Sequence, residues 1–407
     1  MSNDNRTIFS FSQSPPLALY IHLPWCVKKC PYCDFNSHAT LDGSFPEKAY
    51  INALIRDLEF VLPSLQQRRI SSIFMGGGTP SLFSASGMKT LLTEIQYRVE
   101  LEKEIEITLE ANPGAVDIDH FKIYRECGFN RISIGIQSFN NSMLTNLGRV
   151  HDGNEANNAI NVAKTAGFNQ INLDLMYGLP QQQSEQAMDD LMQAISHQPN
   201  HLSWYQLTIE PNTVFYKNTP VLPVEDQIWN MQKQGMNLIA SSGYENYEIS
   251  AYAMPDSQCK HNLNYWEFGD YIGIGAGAHS KLTNIHNNEM SRSVRHRLPE
   301  RYIELAGDNS VMTEHKLLTQ QDVILEFMMN NLRLTKGFTT LLFEQRTGIK
   351  FNKIQEPILD AEKKGWLERE GIRIKPSTLG KNYLNDLLHC FMSDSKKIPV
   401  NTTFANA

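Results

Sequence analysis

The stretch Leu17-Ala-Leu-Tyr-Ile-His-Leu-Pro-Trp-Cys26-Val-Lys-Lys-Cys30-Pro-Tyr-Cys33-Asp-Phe35 places three cysteines close together, directly after a run of β-forming residues. Residues 17–22 predict a buried strand, because apolar and aromatic side chains dominate them and a proline follows soon after. The cysteines are therefore expected in a loop at the carboxyl end of the first strand. Active sites of parallel α/β barrels gather at that end of the strands.

The same order of elements continues along the chain, where β-rich runs alternate with longer amphipathic stretches. The β-rich runs predict strands at residues 17–22, 70–75, 104–110, 131–137, 170–176 and 201–209. Helical spacing of apolar residues predicts helices at residues 46–61, 84–97, 117–127, 155–166, 184–196 and 225–241. Strands joined by helical crossovers form a parallel sheet. The predicted fold class is α/β, with a partial barrel of six βα units.

The rest of the chain predicts a smaller, mostly helical second domain. Helices are predicted at 319–332, 339–347, 354–365 and 379–388, with a hairpin of 366–370 and 372–375 around Gly371. Helices with a short β-wing are typical of a winged-helix-like module. We therefore divide the chain into a polar N-terminal segment at 1–16, the barrel at 17–283, a polar linker at 284–300, the helical domain at 301–392 and a polar tail at 393–407.

Composition restricts the class of partner and the compartment. The chain has 407 residues and a net charge of −7. No basic stripe accompanies the winged-helix-like module, so we expect no nucleic-acid partner. The N-terminus is polar and lacks the apolar core of a signal peptide, and no apolar run approaches the roughly 18 residues of a membrane span. We therefore expect a cytoplasmic protein, in which cysteine thiols stay reduced.

The spacing Cys26-x3-Cys30-x2-Cys33 indicates a metal centre rather than a disulfide framework. Thiolates ligate iron–sulfur clusters, and a [4Fe-4S] cluster ordinarily takes four of them. Three cysteines with no fourth nearby leave one iron open, as catalytic metal sites do. The alternative is a zinc site that takes His38 or His22 as its fourth ligand, although the spacing differs from that of the usual paired cysteine knuckles.

These residues resemble the signature of the radical SAM superfamily, which is C-x3-C-x2-C with an aromatic residue before the last cysteine. The resemblance implies that S-adenosylmethionine (SAM) chelates the open iron, and that the reduced cluster cleaves SAM to methionine and a 5′-deoxyadenosyl radical. A second motif, Gly76-Gly77-Gly78-Thr79, follows the second predicted strand. Glycines let the backbone approach a ligand closely. The resemblance implies that Gly77, Gly78 and Thr79 contact SAM.

Polar residues end or follow several later predicted strands, where a buried charge needs a partner or a ligand. These residues are Glu110, Gln137, Arg149 and Asp174. One reading is that the charged ones simply pair with one another. The other is that they converge on a ligand at one rim of the barrel. The resemblance favours the second reading and implies that these four residues bind SAM, with Tyr20 and Tyr32 lining the same pocket.

Within the superfamily, the chain is similar over nearly its whole length to the coproporphyrinogen III dehydrogenase-like group. The dehydrogenases have a further cysteine where this chain has Phe35, and a longer arm than the 19 residues before Tyr20. The motif His261-Asn262-x-x-Tyr265-Trp266 resembles that of the haem chaperones of the group. The resemblance implies that these four residues hold haem, with His261 as iron ligand and His279 and Cys259 as rivals. Taken alone, the stretch would more often be ordinary packing.

The resemblance implies three cofactors or ligands, namely a [4Fe-4S] cluster, SAM and haem. The first functional hypothesis is a haem chaperone that passes haem to an acceptor haem protein, for which a membrane respiratory enzyme is one option. A homodimer is a further option, since the sequence leaves the oligomeric state open. The second is an oxygen-independent coproporphyrinogen III dehydrogenase. The third is a radical SAM enzyme that acts on another substrate. Whether SAM is cleaved in function stays open at this point.

Overall fold

The computed structural model describes residues 9–40, 43–115 and 118–392. Its strands are β1 Leu17–Leu23, β2 Trp25–Cys26, β3 His38–Ala39, β4 Ile70–Gly77, β5 Leu101–Ala111, β6 Arg131–Gln137, β7 Gln170–Tyr177, β8 His201–Gln206, β9 Glu245–Glu248, β10 Ala251–Ala253, β11 Asp270–Ile274, β12 His279–Asn284, β13 Glu289–Arg295, β14 Met312–Leu317, β15 Phe338–Thr339, β16 Leu367–Glu370 and β17 Arg373–Pro376. Residues 1–8 of the predicted N-terminal segment and the predicted tail at 393–407 lie outside the described residues.

The α-helices alternate with these strands in the first part of the chain. They are α1 Glu47–Val61, α2 Ala85–Arg98, α3 Ile118–Cys127, α4 Asn141–Asn146, α5 Gly153–Thr165, α6 Ser184–Ser196, α7 Val214–Lys217, α8 Glu225–Ser241, α9 Lys260–Trp266, α10 Pro299–Leu305, α11 Gln320–Asn331, α12 Thr340–Thr347, α13 Gln355–Lys363, α14 Thr378–Asn382 and α15 Leu384–His389. Short 3₁₀ helices occupy Leu62–Leu65, Pro80–Leu82, Pro113–Ala115, Asn309–Val311 and Phe351–Ile354. None of the helices in the described ranges has the length and apolarity needed to cross a bilayer.

The barrel is a run of parallel strands in the order β11-β1-β4-β5-β6-β7-β8. All six predicted strands are present, and the α/β partial barrel is confirmed. Antiparallel strands extend the sheet at both edges, with β12, β13 and β14 beyond β11, and β10 and β9 beyond β8. The sequence pattern missed these extensions, because their pairing joins short strands without helical crossovers.

Helices cover the outer face of this sheet, so its strands are buried on both faces. In β1 every residue except Tyr20 is buried. The helix α1 presents Tyr50, Ile51, Leu54 and Leu58 to the sheet, a spacing of three and four residues that forms one apolar stripe. The loops after the parallel strands therefore meet at one end of the barrel, where the cysteines lie.

The predicted linker at 284–300 is wrong in its secondary structure. This segment contains β13, which pairs with both β12 and β14. Arg295 of β13 is buried and forms an ion pair with the buried carboxylate of Asp57 in α1, at 3.1 Å, and Tyr302 donates a hydrogen bond to the same carboxylate at 2.9 Å. The sequence alone does not indicate that this polar segment is buried, because Asp57, the ion-pair partner of Arg295, lies far away along the chain. The domain boundaries themselves stay a prediction.

The C-terminal part has its own apolar core, formed by α11, α12, α13 and the sheet β15-β17-β16. This arrangement agrees with the predicted helices and β-wing. The predicted helix at 379–388 is instead two short helices, because the backbone leaves the helical conformation at Tyr383. The described part of the predicted polar N-terminal segment also joins this core, since Phe9 is buried there and the N–H of Ser10 donates to the carbonyl of Gly348 at 2.9 Å.

Candidate functional site

The three cysteines lie in the loop after β1, and hydrogen bonds hold this loop against the barrel. The strands β2 and β3 pair in parallel across its base. The side-chain amide of Asn36 donates to the carbonyls of Ala276 and Arg297, each at 2.8 Å. The carbonyl of Asn36 lies 2.8 Å from Nε2 of His22. The loop therefore has a fixed conformation over the carboxyl end of β1, as expected from the sequence.

The thiols of Cys26, Cys30 and Cys33 are free and partly buried. Burial raises the pKa of Cys26 and Cys33, so these thiols stay protonated until a metal displaces the proton. Sγ of Cys33 lies 3.7 Å from Oγ of Ser37. Three cysteines on one short loop suit a cluster, because each thiolate then binds a different iron.

A mononuclear zinc site finds less support in the geometry. No three His, Cys, Asp or Glu side chains in the described ranges converge as ligands of one ion would. Both ring nitrogens of His22 already have partners, since Nδ1 lies 3.0 Å from the hydroxyl of Tyr20 and Nε2 lies 2.8 Å from the carbonyl of Asn36. His22 is therefore a structural neighbour of the cysteine loop.

The glycine motif lies beside the cysteine loop, at the carboxyl end of β4. The N–H of Gly78 donates to the carbonyl of Leu23 at 2.8 Å, and the N–H of Thr79 donates to the carbonyl of Trp25 at 2.7 Å. A Cβ atom on Gly78 would lie 2.5 Å from the oxygen of Trp25, which no side chain tolerates. Thr79 also hydrogen bonds to Cys26. Glycine is thus required for the two loops to pack together.

Two carboxylates, Glu110 and Asp174, lie half-buried within the barrel below these loops. Oε2 of Glu110 accepts a hydrogen bond from the N–H of Gly77 at 3.1 Å. Burial, with a smaller contribution from the nearby charge of Asp174, raises the pKa of Glu110 to about 7. Asp174 accepts hydrogen bonds from Ser133 and from Asn172, each at 2.9 Å. Burial raises the pKa of Asp174 as well. The carboxylates therefore form an acidic pair within the barrel.

Arg149 connects this pocket with the cysteine loop. Its Nη2 donates to the carbonyl of Gly135 at 2.8 Å, and its Nη1 lies 3.7 Å from Sγ of Cys30. It also hydrogen bonds to Tyr32. No ion pair joins Arg149 to Glu110 or Asp174 within the described part of the chain, so mutual pairing does not explain the three charges. Nε of Arg149 is buried without a hydrogen-bond partner among these residues.

The pocket next to the cysteines therefore fits an anionic and polar ligand. An unpartnered guanidinium N–H suits a carboxylate, and the acidic pair suits hydroxyl and ammonium groups. Gln137 lines the same pocket. Its side-chain oxygen accepts a hydrogen bond from the hydroxyl of Tyr205 at 2.9 Å. The structure thus brings together the residues predicted for the cluster and for SAM. These are Cys26, Cys30, Cys33, Tyr20, Tyr32, Gly77, Gly78, Thr79, Glu110, Gln137, Arg149 and Asp174.

The residues predicted for haem lie elsewhere, on α9, which packs against β1, β4, β11 and α11. His261 is buried, and its Nδ1 lies 3.0 Å from the hydroxyl of Ser72 near the start of β4. Its ring contacts the rings of Phe74 and Tyr20, with centroid distances of 5.1 and 6.4 Å. Burial lowers the pKa of His261 to about 3. The imidazole thus lies in the barrel interior.

A buried carboxylate fixes the start of this helix. Glu106 accepts hydrogen bonds from the N–H groups of Lys260 and His261, at 3.1 and 3.0 Å, and from the thiol of Cys259 at 3.4 Å. A carboxylate at a helix N-terminus satisfies N–H groups that lack partners within the helix. Cys259 is also buried, so of the two rivals to His261 only His279, which is exposed, lies at the surface.

Of the other haem-motif residues, Trp266 faces the C-terminal part and Tyr265 faces the barrel strand β11. The guanidinium of Arg333 lies over the ring of Trp266, 4.4 Å from its centroid, and also contacts the carboxylate of Glu248 at 3.4 Å. Tyr265 packs against Tyr271, with a centroid distance of 5.0 Å. Asn262, like Tyr265 and Trp266, is partly exposed. Packing of α9 between the barrel and the C-terminal helices accounts for these contacts.

Comparison with known proteins finds two family models that match separate parts of the chain. Residues 20–193 match the radical SAM superfamily, and residues 318–381 match the HemN C-terminal domain. A Haemophilus influenzae protein named heme chaperone HemW is 47% identical over 384 residues, which cover 93% of this chain and 99% of that protein. The Escherichia coli protein of the same name is 46% identical, with the same coverage. The chain belongs to the HemW family.

A solved structure shares the fold of this HemW-family chain. Coproporphyrinogen III oxidase (HemN) from Escherichia coli, described as a radical SAM enzyme, superposes with a TM-score of 0.79. The match covers 93% of this chain and 91% of that chain, at 22% sequence identity. At that identity the likeness establishes the radical SAM fold with its C-terminal helical domain.

Two residues of this HemW-family site, Asn36 and Tyr205, were missed in the sequence as functional candidates, and His22 was considered only as an alternative zinc ligand. Asn36 anchors the cysteine loop, His22 supports it from β1, and Tyr205 orients Gln137. Tyr205 lies in a predicted strand whose carboxyl end reaches the same rim, which is the signal that could have found it. Asn36 carried no such signal, because its two acceptors are contributed by distant segments of the chain.

Proposed function

We propose that this chain is a haem chaperone which carries a SAM-liganded [4Fe-4S] cluster and delivers haem to an acceptor haem protein. Haem is the cargo rather than a resident cofactor. A homodimer and a membrane respiratory enzyme as acceptor remain parts of the proposal. The observation that carries it is the HemW-family likeness over nearly the full length, joined to an intact cysteine and glycine pocket.

In this proposal Cys26, Cys30 and Cys33 bind three irons of the cluster. The glycine motif and Arg149 hold the amino and carboxylate groups of SAM, and Glu110 and Asp174 hold its polar sugar. The geometry supports this assignment, since Arg149 contacts Cys30 and Glu110 contacts Gly77. A SAM-liganded cluster, when bound, supplies a one-electron route to a carbon radical.

The haem assignment rests on the motif of α9 and is the less supported part. Tyr265 and Trp266 present partly exposed aromatic faces, which suit a porphyrin. His261 does not suit iron ligation in this conformation, because its side chain is buried and its ring lies against those of Phe74 and Tyr20. Haem binding through α9 therefore requires either a different ligand or a movement of the helix.

The alternative is an oxygen-independent coproporphyrinogen III dehydrogenase. The fold is shared with HemN, and the residues proposed to hold the cluster and SAM would serve this reaction as well. Against it stands Phe35, whose side chain is 59% exposed at the position where the dehydrogenases carry a further cysteine. No thiol is available there to take part in that chemistry.

The deciding experiment uses the anaerobically reconstituted protein. Haem is titrated into it while the Soret band is followed, and in parallel it is incubated with coproporphyrinogen III, SAM and a reductant. We expect saturable haem binding and no protoporphyrinogen beyond the level of the Cys30→Ala variant. Rapid protoporphyrinogen formation that needs Cys30, together with no saturable haem binding, would refute the chaperone and establish the dehydrogenase.

A further inference from the structure

A layer of polar side chains lies inside the barrel on the amino-terminal side of Asp174, where apolar packing would be ordinary. It consists of Ser133, Asn172, His201 and Tyr247, all of them buried. Buried polar groups cost free energy unless they are hydrogen bonded. None of these residues has a place in the proposed binding of the cluster, SAM or haem. The layer therefore needs a separate explanation.

Asn172 is the centre of this layer, and its side chain uses its full hydrogen-bonding capacity. Its Nδ2 donates to Oδ1 of Asp174 at 2.9 Å and to Oγ of Ser133 at 2.7 Å. Its Oδ1 accepts from His201 at 2.6 Å and from Ser203 at 3.1 Å. An amide has two donor hydrogens and two acceptor positions, so all four are occupied. The orientation of the amide is consequently determined.

The orientation of Asn172 in turn determines the tautomer of His201. Because Oδ1 of Asn172 accepts, Nδ1 of His201 carries the hydrogen, and Nε2 is an acceptor. Nε2 lies 2.8 Å from the hydroxyl of Tyr247, which therefore donates to it. Burial holds the pKa of His201 well below its ordinary value, so the ring is neutral. A directed chain of hydrogen bonds thus runs from Tyr247 through His201 and Asn172 to Asp174.

The chain ends by holding both oxygens of the Asp174 carboxylate. Oδ1 accepts from Asn172, and Oδ2 accepts from the hydroxyl of Ser133, each at 2.9 Å. Ser203 also lies within hydrogen-bonding reach of this carboxylate, which leaves one of its four acceptor positions for a ligand. A carboxylate held at both oxygens cannot rotate, so it meets a ligand without an entropic cost of ordering.

We infer that His201 and Asn172 are positioning residues for SAM, which act by fixing the carboxylate of Asp174 from behind. This inference rests on the proposed SAM site and adds to it the residues that set its geometry. Tyr247 stands at the outer end of this series of hydrogen bonds. Its backbone carbonyl accepts a hydrogen bond from the N–H of Thr335, in the C-terminal part, at 3.0 Å. The positioning layer is therefore anchored outside the barrel as well.

The test measures the dissociation constant of SAM with the reconstituted, cluster-loaded protein by anaerobic equilibrium dialysis. In His201→Leu the donor that orients Asn172 is lost, so the hydrogen bond from Asn172 to the Asp174 carboxylate is weakened, and we expect SAM binding to weaken about tenfold. In His201→Asn the side-chain amide can replace Nδ1–H as donor, and we expect affinity within about threefold of the wild type. If His201 served only to fill the core, His201→Asn would not restore SAM affinity relative to His201→Leu.

Two further variants keep the result interpretable. His197→Leu is the matched control, since Nε2 of His197 lies 2.7 Å from Oδ1 of Asn157 in a histidine–asparagine contact distant from the pocket. We expect its SAM affinity to be unchanged. Tyr247→Phe removes one hydroxyl only and changes the core less than His201→Leu does, and we expect about threefold weaker SAM binding.

The inference is overturned if Tyr247→Phe and any folded His201→Leu protein bind SAM as the wild type does, or if His201→Asn binds no better than His201→Leu. The iron content of each sample is measured. A difference in SAM affinity supports the inference only where the iron content equals that of the wild type. If the wild type itself binds no SAM while its cluster is intact, the proposed SAM site fails instead, and the two failures are thereby distinguished.

Discussion

Nη1 of Arg149 lies 3.7 Å from Sγ of Cys30, while Nη2 of the same guanidinium donates to the carbonyl of Gly135 at 2.8 Å. One side chain therefore borders both a proposed cluster ligand and the proposed SAM pocket. A positive group with N–H donors near a cluster sulfur stabilises the reduced cluster, which carries more negative charge. Arg149 is thus placed to influence both the reduction potential and SAM binding.

For Arg149→Met we expect a lower cluster reduction potential and SAM binding about tenfold weaker, because a hydrogen bond to a charged group is lost. Both effects are measured on one anaerobic preparation, by a redox titration monitored with EPR and by equilibrium dialysis. Arg149→Lys is the control, since it retains the charge without the planar fork. Its potential should lie between those of the other two proteins. A potential that is the same in all three would contradict this account.

Glu110 gives the protein a dependence of stability on pH. Its pKa is raised by burial from 4.5 to about 7, so the folded state holds the proton more tightly than the unfolded state does. The stability from this group is fully present below pH 4.5 and is lost as the pH rises through about 7. The loss is of order 3 kcal/mol when complete.

Glu110→Gln removes this titration while keeping an oxygen that can accept from Gly77. We expect the free energy of unfolding of the variant, relative to the wild type, to rise between pH 5 and pH 8. Chemical denaturation of SAM-free protein at both pH values measures the difference, and groups titrating identically in both proteins cancel. A relative stability that does not change with pH would show that Glu110 titrates at its ordinary value.

The segment at 284–300 is expected to be essential for stability. Arg295→Met leaves the carboxylate of Asp57 buried without its ion-pair partner, which costs about 3–5 kcal/mol. Arg301→Met is the control, because the Arg301–Glu304 pair is exposed on the surface and its loss costs little. Denaturation of both variants measures the contrast. Equal free energies of unfolding for Arg295→Met and Arg301→Met would contradict this expectation and favour the predicted linker at 284–300.

Haem binding should distinguish His261 from His279. His261 is buried with a hydrogen-bonded Nδ1, so we expect His261→Ala to retain the affinity and Soret maximum of the wild type while losing stability. His279 is exposed, and His279→Ala is expected to change the spectrum more. Haem titration of both variants provides the measurement. A lost Soret shift in a folded His261→Ala protein would instead show that α9 opens to bind iron.

The sequence was most informative where function depends on near neighbours. The cysteine loop and Gly76-Gly77-Gly78 could be predicted because each motif lies within a few residues and follows a strand. The parallel barrel followed from the same regular alternation. Glu110, Asp174 and Arg149 could be predicted as a group, since the carboxyl ends of parallel strands meet at one rim.

What the sequence could not supply depends on residues that only the fold brings together. The role of Arg295 requires its contact with Asp57 in α1, and the role of Asn36 requires two distant carbonyls. The burial of His261 is of the same kind, since Ser72 and Phe74 belong to another strand. The motif that resembles a haem-binding sequence therefore gave no indication that His261 faces the barrel interior.

The most direct test of the central claim is haem delivery. The haem-loaded, cluster-containing protein is mixed anaerobically with the haem-free form of a b-type haem protein, and the two are separated and analysed by their Soret spectra. We expect haem to leave the chain and appear in the acceptor, faster than from haem-loaded serum albumin as a control. An acceptor that gains haem no faster than from albumin, or a chain that holds no haem at all, would contradict the account.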